Sequence, residues 1–248
     1  MRGRFITIEG IDGAGKSTQF ERLCAYIEAG GRTLVRTREP GGTPLAEKIR
    51  SMLLGDEMGP TAETLLFFAA RAEHVERVIA PALERGDWVL SDRFTDATYA
   101  YQTGGKGFPG EKVESLEAWT LGTFAPDLTI LFDIAPEVAA ARLAARAGNK
   151  DRFERMGTEF FTRVRDAYLA RAKANPERFL IVDASADPET VSAEIRAKVT
   201  PWLYLLTRGS KRRPKSFLQC ATECPMPFCY MGHRALGSTT WHSLLRIS

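Results

Sequence analysis

The stretch Gly10-Ile11-Asp12-Gly13-Ala14-Gly15-Lys16-Ser17 decides the fold, because it fits the pattern G-x-x-x-x-G-K-S between a predicted strand and a predicted helix. Glycines let such a loop turn its backbone N–H groups inward, and the following helix adds the positive end of its dipole. Both features attract phosphate. Lys16 can reach the outer phosphates of a nucleotide, and the Ser17 hydroxyl can ligate Mg²⁺. Together with Thr18, the stretch therefore predicts a phosphate-binding P-loop. The alternative is a glycine-rich turn that matches the pattern by chance, and the position between a strand and a helix argues against it.

Predicted strands and helices alternate along the first 204 residues. Runs of β-branched and apolar residues predict strands at 4–9, 33–37, 88–90, 128–132 and 179–182. Apolar residues at helical spacing predict helices at 45–55, 61–84, 111–124, 158–174 and 188–203, among others. Pro81 leaves the end of the 61–84 helix open, and residues 104–110 are predicted to form a glycine-rich loop. The alternation predicts an α/β fold in which helices cover both faces of a parallel sheet.

Residues 205–248 differ from the rest of the 248-residue chain. This segment has seven Lys or Arg and one acid, a net charge of +6, whereas the whole chain has a net charge of +3. The first 204 residues are therefore mildly acidic, with a net charge of −3. Because the segment shows no helical or strand period, we expect a domain over 1–204 and a basic tail over 205–248 that is disordered or poorly packed. A genuine basic appendage that binds acidic partners is the alternative. The spacing of Cys220, Cys224, Cys229 and His233 matches no common zinc pattern well.

The composition is that of a globular protein, with 44% hydrophobic and 26% charged residues. A net charge of +3 is too small to imply a nucleic-acid partner. We find no run of about 20 apolar residues that would span a membrane, and no secretion signal at the start. Cys24 is the single cysteine of the predicted domain, which is typical of a reducing compartment. We therefore expect a cytoplasmic protein with neither a nucleic-acid nor a membrane partner.

Charged residues follow two further predicted strands. Asp92 and Arg93 come soon after the strand at 88–90, and Arg38-Glu39-Pro40-Gly41-Gly42 follows the strand at 33–37. The carboxyl ends of parallel strands meet at one edge, where ligands bind. Asp92 could hold magnesium through water, and Arg93 could bind a phosphate through two hydrogen bonds. A surface ion pair and an ordinary turn are the alternatives for the two segments.

Phe67 and Arg71 lie four residues apart and so share one face of a predicted helix. A ring beside a guanidinium could stack on a base and hydrogen-bond it. Taken alone, the pair favours a plainer interpretation, with Phe67 in the core and Arg71 solvated.

Arginines surround the break in the helical pattern at 148–151. Arg142 and Arg146 share a helix face, and Arg152 and Arg155 follow the break. A mobile arginine-rich segment suits the closure of an enzyme over a transferring phosphate. A solvated basic face remains the simpler explanation for any single arginine.

Several motifs occur in one order and together resemble the bacterial thymidylate kinase (dTMP kinase) family, over about residues 1–204. The motifs are Ile8-Glu9-Gly10, Thr37-Arg38-Glu39-Pro40-Gly41-Gly42-Thr43, Phe67-x-x-x-Arg71, Asp92-Arg93-Phe94, Thr98-x-x-Tyr101-Gln102, Pro126-Asp127-Leu128-Thr129 and Asp151-Arg152-Phe153-Glu154. The resemblance implies a three-layer P-loop kinase fold, with a parallel central sheet flanked by helices and a short mobile lid at about 142–156. It also implies a homodimer.

The resemblance further implies transfer of the γ-phosphoryl group of ATP to dTMP, with Mg²⁺ held by Ser17 and Asp92. It implies that Phe67 stacks on thymine and that Arg71 hydrogen-bonds the base. The remaining residues that the resemblance implies are Arg93 at the acceptor phosphate, Asp12 near the sugar and phosphates, and Arg38, Thr98, Tyr101 and Gln102 as further substrate contacts.

The family has two designs, which differ in the source of a catalytic arginine. One design carries it in the P-loop, and the other uses arginines of the lid. The variable loop positions here are Ile11, Asp12, Gly13 and Ala14, so we expect Arg146 and Arg152 to act in catalysis beside Lys16, Arg93 and Asp12. Another nucleoside monophosphate kinase or a deoxynucleoside kinase on the same fold is the nearest alternative, and a non-catalytic nucleotide-binding switch is a different one.

Overall fold

The structure, a computed structural model, describes residues 2–145, 152–153 and 156–204. The chain divides into two units, Met1–Gly209 and Ser210–Ser248, and the described residues all belong to the first. The predicted tail and most of the predicted lid, including Arg146 and Arg155, lie outside the described residues.

Five parallel strands form the central sheet, in the order β2-β3-β1-β4-β5. The strands are β1 (Phe5–Glu9), β2 (Leu34–Arg38), β3 (Trp88–Asp92), β4 (Leu128–Asp133) and β5 (Phe179–Asp183). The central strand β1 is buried along its whole length, as expected for a parallel strand covered on both faces. The predicted α/β class and its parallel sheet are confirmed.

Apolar side chains pack on both faces of the sheet. Neighbouring residues of a strand point to opposite faces, and on β1 Ile6 and Ile8 join a different buried cluster from Phe5. The helices that supply these layers are α1 (Lys16–Ala29), α2 (Pro44–Gly55), α3 (Pro60–His74), α4 (Ala80–Arg85), α5 (Thr95–Thr98), α6 (Gly110–Leu121), α7 (Pro136–Ala144), α8 (Thr158–Ala174) and α9 (Pro188–Tyr204). None of these described helices is both long and apolar enough to cross a membrane.

The predicted helix at 61–84 is helical throughout but not uniform. A π-helical turn, Val75–Ile79, separates α3 from α4. Pro81 lies at the start of α4. Proline has no N–H and its ring crowds the carbonyl four residues earlier, so a wider turn before it keeps the chain helical without that contact.

The predicted glycine-rich loop at 104–110 is partly wrong. Tyr99–Gly105 forms a second π-helical segment after α5, and α6 already begins at Gly110. A Cβ on Gly105 would lie 2.4 Å from the Phe160 ring, and one on Gly104 would lie 2.4 Å from the Ala167 Cβ. These two glycines therefore allow α8 to approach closely and do not interrupt the helix.

Candidate active site

A cavity of about 530 Å³ opens at the carboxyl ends of the strands. The P-loop follows β1, Arg38 ends β2, and Asp92 ends β3, so three strand ends contribute to one wall. The predicted site residues that line the cavity are Asp12, Gly13, Gly15, Lys16, Ser17, Thr18, Arg38, Phe67, Arg71, Asp92, Arg93, Thr98, Tyr101 and Gln102.

The remaining predicted residues lie elsewhere. Gly10, Ile11 and Ala14 are buried members of the P-loop and do not line the cavity. Arg152 is described but does not line the cavity, and Arg146 lies outside the described residues. Arg142, which was predicted as part of the arginine-rich lid but not as a catalytic residue, does line the cavity.

The P-loop wraps around the side chain of Lys16. Its Nζ donates to the carbonyl oxygens of Gly10 and Ile11, each at 2.9 Å, and lies 3.7 Å from Asp12 Oδ1. Burial, and then the charge of Arg93, lower the pKa of the Lys16 ammonium. The ammonium is thus fixed at the mouth of the loop, at the start of α1, where the helix dipole also favours anions.

Arg93 joins the loop to the opposite wall. Its Nη2 donates to Asp12 Oδ1 at 2.6 Å and to the Tyr101 hydroxyl at 2.9 Å, while Nη1 donates to the Tyr168 hydroxyl at 3.2 Å. Burial acts to raise the pKa of the Asp12 carboxyl, but the charges of Arg93 and Lys16 outweigh it and lower that pKa to about 2. Asp12 is therefore an ionised anchor that orients the guanidinium.

Glu9 and Tyr168 support Arg93 from below, and sequence reasoning assigned neither to the site. The side-chain oxygens of the fully buried Glu9 accept hydrogen bonds from the Phe94 N–H and the Tyr168 hydroxyl, each at 2.7 Å. Burial, and then the charge of Asp96, raise the pKa of Glu9 to about 8. An acid at the end of a buried strand was a usable signal for Glu9, whereas nothing local distinguishes Tyr168.

Arg71 and Phe67 belong to α3, and both line the cavity. The plainer interpretation of a solvated arginine is wrong, because Arg71 is only 2% exposed. Its Nη2 donates to Thr98 Oγ1 at 3.1 Å and to the Phe94 carbonyl at 3.2 Å. Its Nη1 is buried and has no hydrogen-bond partner among the described residues. Such an unpaired donor costs about 1–3 kcal/mol unless a ligand accepts from it.

Gln102 and Arg152 share a buried carboxylate. Glu63 Oε1 accepts from Gln102 Nε2 at 3.0 Å, and Glu63 is also paired with Lys106 at 2.6 Å and with Arg152. The predicted lid arginine Arg152 is therefore held beside Gln102 and not beside the P-loop.

Asp92 and Ser17 offer oxygen atoms near the loop. Asp92 Oδ1 is buried and has no hydrogen-bond partner among the described residues, and Ser17 is exposed on the cavity wall. Within the described part of the chain, no three His, Cys, Asp or Glu cluster as a ready metal site. An orphaned carboxylate oxygen with a nearby hydroxyl fits Mg²⁺, which usually takes few protein ligands and completes its shell with water and phosphate.

Comparisons with known proteins agree with this geometry. The family model described as thymidylate kinase matches residues 8–195. A thymidylate kinase of Methylobacillus flagellatus is 57% identical over 195 residues, which are 79% of this chain and 96% of that protein. One of Burkholderia vietnamiensis is 61% identical over 74% of this chain and 91% of its own length. The crystal structure of a thymidylate kinase from Ehrlichia chaffeensis, 33% identical, covers 81% of this chain and 99% of its own, with a TM-score of 0.66.

Proposed function

Because the chain belongs to the thymidylate kinase family, we propose that it transfers the γ-phosphoryl group of ATP to dTMP, giving ADP and dTDP. The observation that carries this proposal is one continuous cavity. It has the P-loop and Lys16 at one end, Arg93 in the middle, and Phe67 with the unpaired Arg71 donor at the other end. A phosphate donor and a base-bearing acceptor can therefore lie in line within it.

On the donor side, we assign the ATP phosphates to the P-loop, from Gly10 to Ser17, with Thr18. Lys16 supports this role because, among the described residues, its ammonium is held by two neutral carbonyls and the more distant Asp12. A phosphate oxygen is a stronger partner for an ammonium than a carbonyl oxygen is.

On the acceptor side, we assign the dTMP phosphate to Arg93 and the thymine to Phe67, Arg71 and Gln102. Arg38, Thr98 and Tyr101 line the same region of the wall. The phosphate of dTMP is already a nucleophile at neutral pH, so the site needs alignment and charge stabilisation and no strong general base. Asp12 serves this alignment by holding the Arg93 guanidinium.

Asp92 and Ser17 are the residues that would hold Mg²⁺, directly or through water. The unpaired Asp92 oxygen supports this assignment. When bound, the ion neutralises charge on the phosphates during transfer.

The P-loop contains no arginine, so further positive charge has to come from elsewhere, and we assign it to Arg146 and Arg152. Arg152 would then exchange its partner Glu63 for phosphate during the reaction. Turnover of Arg146→Ala and Arg152→Ala at saturating substrates tests this, and an unchanged kcat in both variants would remove the assignment.

We also assign a homodimer and a cytoplasmic location. Helices α3 and α6 pack together, and each exposes an apolar side chain, with Leu65 47% and Trp119 81% exposed. Sedimentation of the wild type and of Trp119→Glu tests the dimer. The assignment requires that the wild type sediments with twice the mass of the monomer. Cys24 is buried and forms no disulfide within the described part of the chain, which supports a reducing compartment.

A coupled assay with dTMP, dUMP, dCMP, dGMP and thymidine as acceptors tests the function. We expect the highest kcat/KM with dTMP. A clear preference for another monophosphate, or for thymidine itself, would instead indicate a different nucleotide or nucleoside kinase on this fold.

A further inference from the structure

A buried carboxylate that the reaction does not require lies in the cavity wall beside Arg71. Glu39 follows β2, and its own N–H donates to the Asp92 carbonyl at 2.9 Å, which fixes its backbone to the sheet. Its side chain is 3% exposed, and its Oε2 accepts from Arg71 Nε at 2.7 Å. The guanidinium that faces the base is thus tied to the rigid edge of the sheet.

The second oxygen of Glu39 is tied to α3. Its Oε1 lies 3.0 Å from His74 Nδ1, and His74 Nε2 lies 2.6 Å from the Thr37 hydroxyl. A carboxylate only accepts hydrogen bonds, so the ring hydrogen sits on Nδ1. Arg71 and His74 are three residues apart on one helix face, which lets both reach the same carboxylate. His74 is fully buried, so water does not compete for these bonds.

These contacts determine which donor Arg71 presents to a ligand. The Nε atom is held by Glu39, and Nη2 is held by the Thr98 hydroxyl and the Phe94 carbonyl. Nη1 is left buried without a partner among the described residues. A guanidinium only donates, so Nη1 can pair with a carbonyl oxygen of a base and not with an amino group. Rotation of the guanidinium would weaken this discrimination.

We propose that Glu39, backed by His74 and Thr37, is a positioning residue that sets the acceptor-base specificity of the cavity. By fixing Arg71, it favours a pyrimidine with a carbonyl group at the position facing Nη1 and disfavours one with an amino group there. This inference rests on the proposed function, since it concerns the same acceptor site.

The test is the ratio of kcat/KM for dTMP to kcat/KM for dCMP in Glu39→Ala and Glu39→Gln. In Glu39→Ala the ratio falls at least about tenfold, mainly through a higher KM for dTMP, while the KM for ATP is unchanged. In Glu39→Gln the amide oxygen can still accept from Arg71 while His74 takes its other tautomer, so the ratio stays within about threefold of wild type.

Matched variants separate positioning from simple destabilisation. Val199→Ala opens a cavity in a fully buried part of α9, away from the acceptor site, so it lowers the melting temperature without changing the ratio. If Glu39→Ala does not fold, His74→Ala removes the support behind the carboxylate, and its ratio falls in the same direction. A ratio that stays at the wild-type value in whichever of these two variants folds would overturn the inference. A wild type that does not phosphorylate dTMP would instead overturn the proposed function.

Discussion

Arg93 has a backbone conformation that its environment must enforce. Its φ of 72° is left-handed, which costs a residue with a side chain about 1–2 kcal/mol. Two buried hydrogen bonds hold the chain there, from Arg93 N–H to the Ile8 carbonyl and from Phe94 N–H to Glu9. This backbone conformation places the Arg93 guanidinium against Asp12 in the cavity wall.

Replacing Arg93 by alanine should reduce kcat/KM for dTMP by about 10²–10³-fold, because the charged donor that we assign to the acceptor phosphate is lost. Steady-state kinetics at varied dTMP measures this, and circular dichroism checks that the fold is intact. Arg85→Ala is the control, since that exposed arginine pairs only with Asp87 among the described residues. Near-normal turnover in Arg93→Ala would show that the assigned role is wrong.

Glu9 should make the stability of the protein depend on pH. Its pKa is raised from 4.5 to about 8 by burial and then by Asp96, so the folded state keeps a proton that the unfolded state loses. Stability from this group is therefore full below about pH 4.5 and falls as the pH rises towards 8.

Urea unfolding of the wild type and of Glu9→Gln at pH 5, 6, 7 and 8 tests this dependence. The difference in unfolding free energy should shift in favour of the variant by up to about 1.4 kcal/mol per pH unit. The contributions of the other titrating groups to the pH dependence are common to both proteins and cancel in the difference. Parallel pH profiles would contradict the raised pKa.

The residues of the site divide into those that sequence could predict and those it could not. Lys16, Asp92 and Arg93 follow strands, and parallel topology brings strand ends together, so their meeting was predictable. Tyr168 supports Arg93 from a helix 75 positions away. That contact arises only from tertiary packing, so no local sequence pattern predicts it. The helical spacing alone favoured a solvated Arg71 for the same reason, because its buried partner Glu39 lies in the loop after β2.

At the scale of elements, the P-loop depends on glycines that differ in their surroundings. Gly13 has φ +87° and a Cβ there would lie 2.4 Å from the Ala139 carbonyl of α7. Gly15 has φ +82°, and a Cβ there would have nothing within 4 Å. An alanine is strained at both positions, but only at Gly13 does it also collide with backbone.

Gly13→Ala should therefore destabilise the protein more than Gly15→Ala, which should lose about 1–2 kcal/mol from strain alone. Urea unfolding without nucleotide measures both losses, and leaves phosphate binding out of the comparison. Equal losses in the two variants would mean that the loop and α7 can separate freely.

Strands were easier to predict than the two π-helical segments. The strands of this sheet are short buried runs, and all five were predicted to within about two residues of their bounds. Val75–Ile79 lies within the predicted helix at 61–84, and part of Tyr99–Gly105 was predicted as a loop, so the apolar pattern revealed neither π-helical segment. We attribute the first to Pro81 and the second to the close approach of α8 at Gly104 and Gly105. Those causes act between neighbouring turns or distant elements.

At the scale of the whole molecule, the relatives account for the domain and not for the C-terminal segment. The aligned 195 residues span 96% of the Methylobacillus flagellatus relative, and the family match ends at residue 195. Helix α9 packs on α1 and ends at Tyr204. We therefore expect residues beyond it to be unnecessary for the reaction.

Deletion of residues 207–248 should leave kcat/KM for dTMP within about twofold and the melting temperature within about 2 °C of the full chain. Steady-state kinetics and thermal unfolding of both forms measure this. A marked loss of activity or stability would favour a functional basic appendage.

The central claim is that this cavity passes a phosphoryl group from ATP to dTMP. The most direct test follows the label from ATP radiolabelled at its γ-phosphate, with dTMP and Mg²⁺ present, and separates the nucleotides by chromatography. We predict that the label appears in dTDP in step with ADP formation, and that Lys16→Ala lowers this transfer by orders of magnitude. Label that stays in ATP, or that is released only as inorganic phosphate while both nucleotides bind, would contradict the account.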